Sequence, residues 1–596
     1  MEADCGKVRD HDEGKKVVLN GWCRYIRDHG GLLFVDLTDR YGTTQLVFDG
    51  NLKKEAEELG KEYVISVEGT VRKREKDTVD PSNPTGNVEV RVESFRIINK
   101  SKVLPFEITE EKEKFLPSDD LRLKYRYLDL RRRRMVNNIE FRDKLTKTIR
   151  KFFWSEGFLD LETPILVKDT YDASGSRTFI TPSRMHKGKF YGLPQSPQVY
   201  KQLSMIAGLD KYFQVAKVFR DEDPREDRQP EFTQIDLEVS FKDEKYIQGL
   251  IEAMFKKVFE EVMEEKIELP FPHMDYLEAM ERYGSDKPDT RFDNVLFDLT
   301  EELSKSDYNI IKKVISAGGK VKALKFSAEM GRKSQKIDKK KILELVEIAK
   351  NLGLKGLTWL YVIKDKIESD PPSIAASLSG VSKQMMSKLD AKDGDLILIG
   401  SDPSENILLA AMSRIGRIVG LVLRQAKKKY AFLWVDKFPL FEKDEVTGEL
   451  QPMHNPFVAP TEETKDLIDS APEKVLGKRY DLVLNGMEIG GGSIRIHNPD
   501  MQKKVLSKMG LSEEEIERSL GFLIEALSFG APVHGGIALG FDRVVATLSG
   551  EYDIRDFILF PKNRRFESPL DGSPDSVSDK RLQNDYDLSV KNDKKS

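Results

Sequence analysis

Cysteine is nearly absent from this chain. Two residues, Cys5 and Cys23, among 596 exclude a disulfide framework and any cysteine-rich zinc module. Seven histidines leave little for a histidine-based metal cluster. No apolar run approaches the ~18 residues of a membrane span, and the N-terminal stretch MEADCGKVRDHDEGKK lacks the apolar heart of a signal peptide. The expectation is a protein with no membrane segment, in a reducing, cytoplasmic setting. Neither sign of charge dominates: 97 Lys and Arg face 101 Asp and Glu, a formal net charge of −4. That excludes a globally basic coat for nucleic acid and leaves a local basic groove open. Internal repeats and low-complexity tracts are absent too. What is present, 39% hydrophobic and 33% charged residues, suffices for packed cores; the length predicts about three to four domains.

Residues 1–105 read as short strands. VVLNGWCRYIRDHGGLLFVDLTDRYGTTQLVFD alternates apolar and polar residues, with turns at Gly30-Gly31 and Tyr41-Gly42. YVISVEGTVRKR and NVEVRVESFRII continue the pattern around the turn-rich PSNPTG. About five strands with one helical stretch, LKKEAEELG, suit a Greek-key barrel of the oligonucleotide-binding kind, or any other small barrel. Residues 106–137 read as a hinge, and the run Arg131 to Arg134 reads as a solvated helix face. IEFRDKLTKTIRKFFW at 138–153 is an amphipathic helix, followed by EGFLDLETPIL, a strand stopped by Pro164. Residues 287–412 change texture, alternating Lys-rich helices with apolar strands, and read as an inserted α+β domain. The strand–helix texture returns over 413–562, and 563–596 form a polar C-terminal extension.

No GxxxxGK[ST] is present, so a Walker-type nucleotide site is excluded. GGGSIR at 490–495 lies between strands and is no dinucleotide fingerprint. Charged side chains on an antiparallel sheet are the alternative. Arg220, Asp221 and Glu222 end the strand KYFQVAKVF. The loop then carries Arg225 and Arg228, and Gln229 and Glu231 precede FTQIDLEVSF. A guanidinium is a fixed, charged fork that matches phosphate or carboxylate. Taken alone, this loop reads more readily as a solvated hairpin laced with ion pairs. Asp481 and Glu488 supply the hard oxygens that Mg²⁺ prefers. GGGSIR removes bulk beside them and ends in Arg495. Arg543 follows the strand GGIALG at a helix start, where its guanidinium and free N–H groups can meet an anion together.

These segments, in this order, resemble the class II aminoacyl-tRNA synthetases. FRDED…RQPEFTQID is similar to motif 2, GIALGFDRVV to motif 3, and the helix and strand ending at Pro164 to motif 1. LPQSPQVYKQ (193–202) and YGSDKPDTR (283–291) resemble the bacterial-type aspartyl-tRNA synthetases within that class. The resemblance covers nearly the whole chain, from GWCRYIRDHGG to DFILFPKN. It implies an α+β fold: an anticodon-binding OB-fold barrel over 1–105, the hinge 106–137, and an antiparallel-sheet catalytic domain in two parts, 138–286 and 413–562. The insertion 287–412 divides those parts. It also implies ATP-dependent ligation of L-aspartate to tRNA through an aspartyl-adenylate, with Mg²⁺, in a homodimer built on motif 1.

By matching position, the resemblance gives Arg220, Asp221, Glu222, Gln229, Glu488, Gly540, Phe541, Asp542 and Arg543 to ATP, and Asp481 and Glu488 to Mg²⁺. Arg220 would bridge the α-phosphate and the amino-acid carboxylate. Gln198, Lys201, Asp236, His454 and Arg495 complete the aspartate pocket. There the fixed cations Lys201 and Arg495 would be left unpaired by a neutral asparagine. One departure stands out: the family's Glu before a Gly, which meets the substrate ammonium, is replaced by Ser174 before Gly175, with Asp172 a candidate substitute anion.

In the barrel, Phe34 matches a base-stacking platform, while its place in LLFVD, without the resemblance, favours core. Gln45 and Glu89 match base-reading positions, with Arg27 beside them. His29 occupies the position where histidine accompanies charging of tRNA(Asn) as well as tRNA(Asp), so the resemblance implies a non-discriminating enzyme. The rival readings are an asparaginyl- or lysyl-tRNA synthetase and a catalytically silent RNA-binding relative. The retained Arg220, Arg495 and Arg543 count against silence.

Overall fold

Alternation of inward apolar and outward polar side chains closes the N-terminal strands into a barrel. Its strands are β1 (Lys16–His29), β2 (Leu32–Thr38), β3 (Thr43–Phe48), β4 (Val64–Lys73) and β5 (Val88–Asn99), in the order β1-β2-β3-β5-β4. Helix α1 (Gly50–Ala56) joins β3 to β4. On β2, Leu33, Val35 and Leu37 point into the core, so Phe34 points outward. The core reading of Phe34 is thereby corrected. The computed structural model describes residues 2–108, 116–169, 177–223, 228–327, 339–422, 426–444, 447–551 and 553–589.

The described chain divides into two units: Met1–Glu140 with Ile558–Asn563 and Glu567–Pro574, and Phe141–Phe557 with Arg564–Phe566 and Asp575–Ser596. In the first, α2 (Asp119–Lys124) and α3 (Arg126–Asp129) lead into α4 (Arg133–Ser155), of which residues 141–155 belong to the second. The arginine run there is only partly a solvated face: Arg133 is exposed, while Arg131 and Arg132 turn inward. Arg132 is buried and donates to Asp129, which is itself fully buried. Asp129 also receives Arg122 through two bonds of 3.0 Å and Arg126 at 2.8 Å. Arg131 donates to the buried Glu62 at 3.0 Å, and Arg24 pairs with the same carboxylate at 2.8 Å. Two carboxylates taken out of water demand these counter-ions, which draw the guanidinium groups inward. Arg126 also donates to the carbonyls of Ile558 and Leu559.

The second unit is built on an eight-stranded sheet. Its strands are β6 (Leu159–Asp160), β7 (Lys211–Phe219), β8 (Glu231–Ser240), β9 (His273–Asp275), β10 (Phe432–Asp436), β11 (Arg479–Leu484), β12 (Met487–Ile494) and β13 (His534–Gly540). The order is β9-β10-β11-β12-β13-β8-β7-β6. The six interior strands are antiparallel, but both edge pairings, β9 with β10 and β6 with β7, are parallel. The strand expected before Pro164 shrinks to two residues. Leu161 still donates to the Phe213 carbonyl, after which Pro164 has no N–H to offer. Helix α5 (Gln198–Ile206) packs on β7 and β8, and α6 (Glu244–Val258), capped by Asp243, packs on β13.

The Lys-rich segment folds as a five-stranded antiparallel sheet in the order Leu296–Asp298, Lys320–Phe326, Leu396–Asp402, Thr358–Ile363, Lys366–Glu368. Leu324, Phe326 and Leu398 meet helices Lys339–Asn351 and Glu405–Val422, while Val321, Ala323, Ile397 and Ile399 face a second core with Leu378 and Met385. Position 412 lies inside the helix Glu405–Val422, which packs into the insert as far as Val419.

Candidate active site

The register of four neighbouring strands sets the floor of the principal cleft. Asp236 on β8 lies opposite Ala538 on β13, Ala538 opposite Gly491 on β12, and Gly491 opposite Asp481 on β11. The next row on the same face reads Glu238, Gly536, Ser493, Arg479. Each row has charge at both ends and small residues between, which leaves a flat trough between charged walls. The cavity above it measures about 440 Å³. The glycines of GGGSIR lie inside β12, not between two strands as read from sequence. Gly490 and Gly492 serve the protein's own packing: a Cβ would lie 2.4 Å from Leu539 Cδ2 and 2.3 Å from the Gly536 carbonyl respectively. Gly491 serves the trough, where a Cβ would lie 2.5 Å from Asp481 Oδ1.

At one end four buried charges close on each other. Lys201 Nζ lies 2.6 Å from Asp236 Oδ1 and 3.1 Å from Glu238 Oε2. Arg495 holds Glu238 through Nε at 2.9 Å and Nη2 at 3.2 Å, and donates from Nη1 to Ser493 at 2.6 Å. Burial pushes the Asp236 carboxyl up, against the pull of Lys201. Burial would do the same to Glu238, but Arg495 and Lys201 override it and hold that carboxyl at about 2. His454 is half-buried beside Phe438 and, by desolvation and the nearby Arg479, held well below its usual range, so it is neutral. Several polar atoms here lack a hydrogen-bond partner among the described residues: Gln198 Nε2, His454 Nε2, Gln234 Oε1 and Asp236 Oδ2. All four side chains line the cleft. Buried polar atoms are normally satisfied, so such a set facing one cavity marks a binding site.

The other end carries the phosphate-type arginines. Arg220 follows β7, its guanidinium 5.3 Å over the Phe232 ring and its Nε donating to the Gln195 carbonyl at 3.4 Å. Arg228 bonds Glu222, and Gln229 is buried beside them. Arg543 stands on the first turn of α7 (Phe541–Ser549) and donates to the Glu488 carbonyl at 3.4 Å. Asp481 lies 2.7 Å from Arg479 Nη2 and Glu488 lies 3.0 Å from Lys287 Nζ. Burial and the charge of Glu488 push the Asp481 carboxyl up to about 8, against the pull of Arg479. For Glu488, Lys287 and Arg479 outweigh burial and hold the carboxyl well below its usual range.

Residues 118–564 match the family described as class II tRNA synthetases (D, K and N). The chain belongs to that family. Residues 17–98 match the OB-fold nucleic acid binding domain. An aspartate–tRNA ligase of Staphylococcus carnosus is 45% identical over 587 residues, 97% of each chain. An aspartate–tRNA(Asp/Asn) ligase of Caldanaerobacter subterraneus is 43% identical over 97% of this chain and 96% of its own. Among solved structures, the asparaginyl-tRNA synthetase of Pyrococcus horikoshii bound to asparaginyl-adenylate superposes with a TM-score of 0.57 at 20% identity. It covers 94% of this chain and 98% of its own. At that identity the likeness is one of fold.

Within this class II synthetase, the residues expected at the site fall into three groups. Gln198, Lys201, Arg220, Glu222, Gln229, Asp236, His454, Glu488, Arg495, Gly540, Asp542 and Arg543 line one cleft. Three others stand elsewhere. Phe541 is buried in the core, its ring 4.8 Å beneath the Arg142 guanidinium. The Asp221 side chain is exposed outside the cleft lining, and its backbone pairs with Arg177. Asp481 lies under Gly491 and Arg479, off the cleft surface. Asp542 reaches the lining but also ties the fold, accepting from the Thr233 N–H at 2.8 Å and from Arg142. Asp172 and Ser174 lie outside the described residues.

Three site residues carried no role in the sequence reading. Glu238 and Arg479 each stand two positions from a chosen acid on one strand, hence on the same face, so a period-two reading of IDLEV and RYDLV exposes them. Lys287 lies in YGSDKPDTR, read there only as a family mark. The structure also changes the argument on amino-acid choice. Lys201 and Arg495 already hold Asp236 and Glu238, so a neutral ligand would not leave bare cations.

The barrel face is wired by hydrogen bonds. Arg27 holds Asp36 through two bonds of 2.8 Å and reaches Gln45 Oε1 at 3.3 Å. Gln45 Nε2 donates to Glu89 at 2.8 Å, and Arg72 Nε donates to the same carboxylate at 2.8 Å. Phe34 lies opposite Arg27 in the β1–β2 register, with the exposed His29 ring 6.0 Å away, edge to face.

Proposed function

We propose that this synthetase ligates L-aspartate to tRNA in two ATP-dependent steps. An α-carboxylate oxygen of aspartate attacks the α-phosphorus of ATP, the bond to pyrophosphate breaks, and aspartyl-adenylate remains. A ribose hydroxyl of the terminal tRNA adenosine then attacks the acyl carbon and AMP leaves. The observation that carries the reading is the enclosed Lys201–Asp236–Glu238–Arg495 cluster at the head of an arginine-lined trough. The unpartnered Gln198 Nε2 that lines the same cleft is a donor, which suits the acceptor-only carboxylate of aspartate. The –NH₂ of asparagine would set donor against donor. The full-length similarity to aspartate–tRNA ligases supports the same choice.

Catalysis of this kind rests on positioning and charge neutralisation. Arg220 bridges the attacking carboxylate and the α-phosphate. Glu222, Gln229 and the Gly540 backbone hold the nucleotide, and Arg543 meets its terminal phosphate. Asp481 and Glu488 fit Mg²⁺ as hard oxygen donors; Asp481 Oδ2 lacks a hydrogen-bond partner, while Oδ1 is paired with Arg479 at 2.7 Å. Bound there, the ion would offset phosphate charge. The described residues hold no cluster of three or more metal-ligating side chains, so phosphate oxygens and water would complete its shell.

In the barrel, Phe34 stacks an anticodon base while Gln45, Glu89 and Arg27 read polar edges. His29 stands at the rim beside Phe34, which favours a second tRNA, tRNA(Asn), as substrate; several relatives carry the Asp/Asn name. The proposal includes a homodimer working in the cytoplasm. Among the described residues no helix is long and apolar enough to cross a membrane.

ATP–pyrophosphate exchange with aspartate, followed by paired charging of purified tRNA(Asp) and tRNA(Asn), tests the whole reading. Exchange with asparagine or lysine in its place defeats the amino-acid assignment. A hundredfold or greater preference for tRNA(Asp) defeats dual charging.

A further inference from the structure

We propose that Lys287 is an additional phosphate-binding residue of the reaction, held by Glu488 until substrate arrives and then moved to the pyrophosphate half of ATP. The inference rests on the ligase reading above. Lys287 enters the cleft from the segment that begins the inserted domain, and its Nζ sits 3.0 Å from Glu488 Oε2. Its side chain is 39% exposed and lines the same cavity as Arg220, Arg228 and Arg543, so the ammonium faces the space those arginines surround.

The segment carrying it is fixed tightly. The Lys287 N–H donates to Ser285 Oγ at 3.0 Å. Two residues on, Asp289 is held by Arg291 at 2.9 and 2.6 Å, and a Cβ on Gly486 would lie 2.8 Å from the Asp289 Cβ. Gly486 is in the turn between β11 and β12, the hairpin that carries Asp481 and Glu488. Arg417, in the helix Glu405–Val422, donates to the Asn485 and Gly486 carbonyls of that turn at 3.3 and 3.4 Å. The insert therefore grips the acid-bearing hairpin from behind and delivers one lysine to its front.

Charge balance gives that lysine its task. Without substrate, Glu488 needs a counter-ion, and Lys287 is it. Were Glu488 to hold a divalent cation, the ammonium would keep only the longer contact to Asp286, at 3.7 Å, and would be available to a polyphosphate in the same cavity. A flexible four-carbon stem lets a lysine make that exchange, which a planar, bidentate arginine makes poorly. Negative charge grows on the pyrophosphate as its bond to the α-phosphorus breaks, so a cation placed there acts on the leaving group.

The test compares full-length wild type with K287M, K287Q and K287R. Calorimetric titration with inorganic pyrophosphate in excess Mg²⁺ gives affinity without turnover, and ATP–pyrophosphate exchange gives KM values. A lost charge-assisted contact is expected to weaken pyrophosphate binding about tenfold or more in K287M and K287Q. KM for pyrophosphate should rise in step, KM for aspartate should stay within about twofold, and K287R should recover part of the affinity. Unchanged pyrophosphate affinity, or an equal rise in the aspartate KM, overturns the proposal and leaves Lys287 as a structural partner of Glu488. Should K287M fold poorly, K287Q keeps most of the stem and decides the matter. Wild type lacking exchange with aspartate defeats the ligase reading instead, and the pyrophosphate titration still judges Lys287.

Discussion

Replacing Glu238 by glutamine keeps the shape of the most enclosed part of the cleft and removes one charge. Glu238 is fully buried, with Arg495 Nε at 2.9 Å and Lys201 Nζ at 3.1 Å. Breaking one side of a buried pair costs about 3–5 kcal/mol, since the opposite charge stays behind in low dielectric. Proton linkage gives a similar figure. Burial would raise this carboxyl, yet Arg495 and Lys201 hold it at about 2 against an ordinary 4.5. At about 1.4 kcal/mol per pK unit this is worth roughly 3 kcal/mol. Because the folded value is depressed, the contribution is complete above the ordinary 4.5 and drains as pH falls toward 2. Equilibrium urea unfolding reads it through tryptophan fluorescence, Trp434 being fully buried in the same sheet. E238Q should lose about 3–5 kcal/mol near neutral pH, and the gap to wild type should narrow steadily below pH 4.5. A gap under about 1 kcal/mol at neutral pH, or one that does not change with acidification, refutes the reasoning.

Phe34→Ala removes the stacking ring from the barrel face. Stacking is worth about 1–3 kcal/mol per base, so kcat/KM for tRNA charging should fall about five- to hundredfold while ATP–pyrophosphate exchange is untouched. Gly491→Ala puts a methyl 2.5 Å from Asp481 Oδ1 and 2.6 Å from Arg479 Nη2. Exchange activity should drop at least tenfold, with a change in the melting temperature of only a few degrees; an active G491A enzyme would show that the trough has slack.

Residues that line the cleft were legible where they belong to recognisable phrases, whichever element carries them. Arg220, Lys201, Arg495, Glu488 and Arg543 are such cases, and the alternation of LLFVD held the answer for Phe34 once the barrel's inner face was known. What was not legible depends on partners far apart in sequence. Arg495 meets Glu238 across 257 positions, and Arg142 meets Asp542 across 400. No local pattern says that Asp542 ties a helix to a strand, or that Phe541 turns into the core. The arginine run failed for the same reason: whether a guanidinium is solvated depends on a carboxylate such as Glu62, 69 residues away.

That run also bears on how the barrel unit would respond to ionic strength. Affinity of a protein for RNA falls with salt in proportion to the cations that displace condensed counterions. Arg122, Arg126, Arg131 and Arg132 are turned inward onto Asp129 and Glu62. Turned inward, they cannot all reach a phosphate backbone, so the salt slope of tRNA binding should be shallower than a count of arginines suggests. A surface whose arginines face inward leans more on stacking and hydrogen-bond geometry, contributions that persist as salt rises.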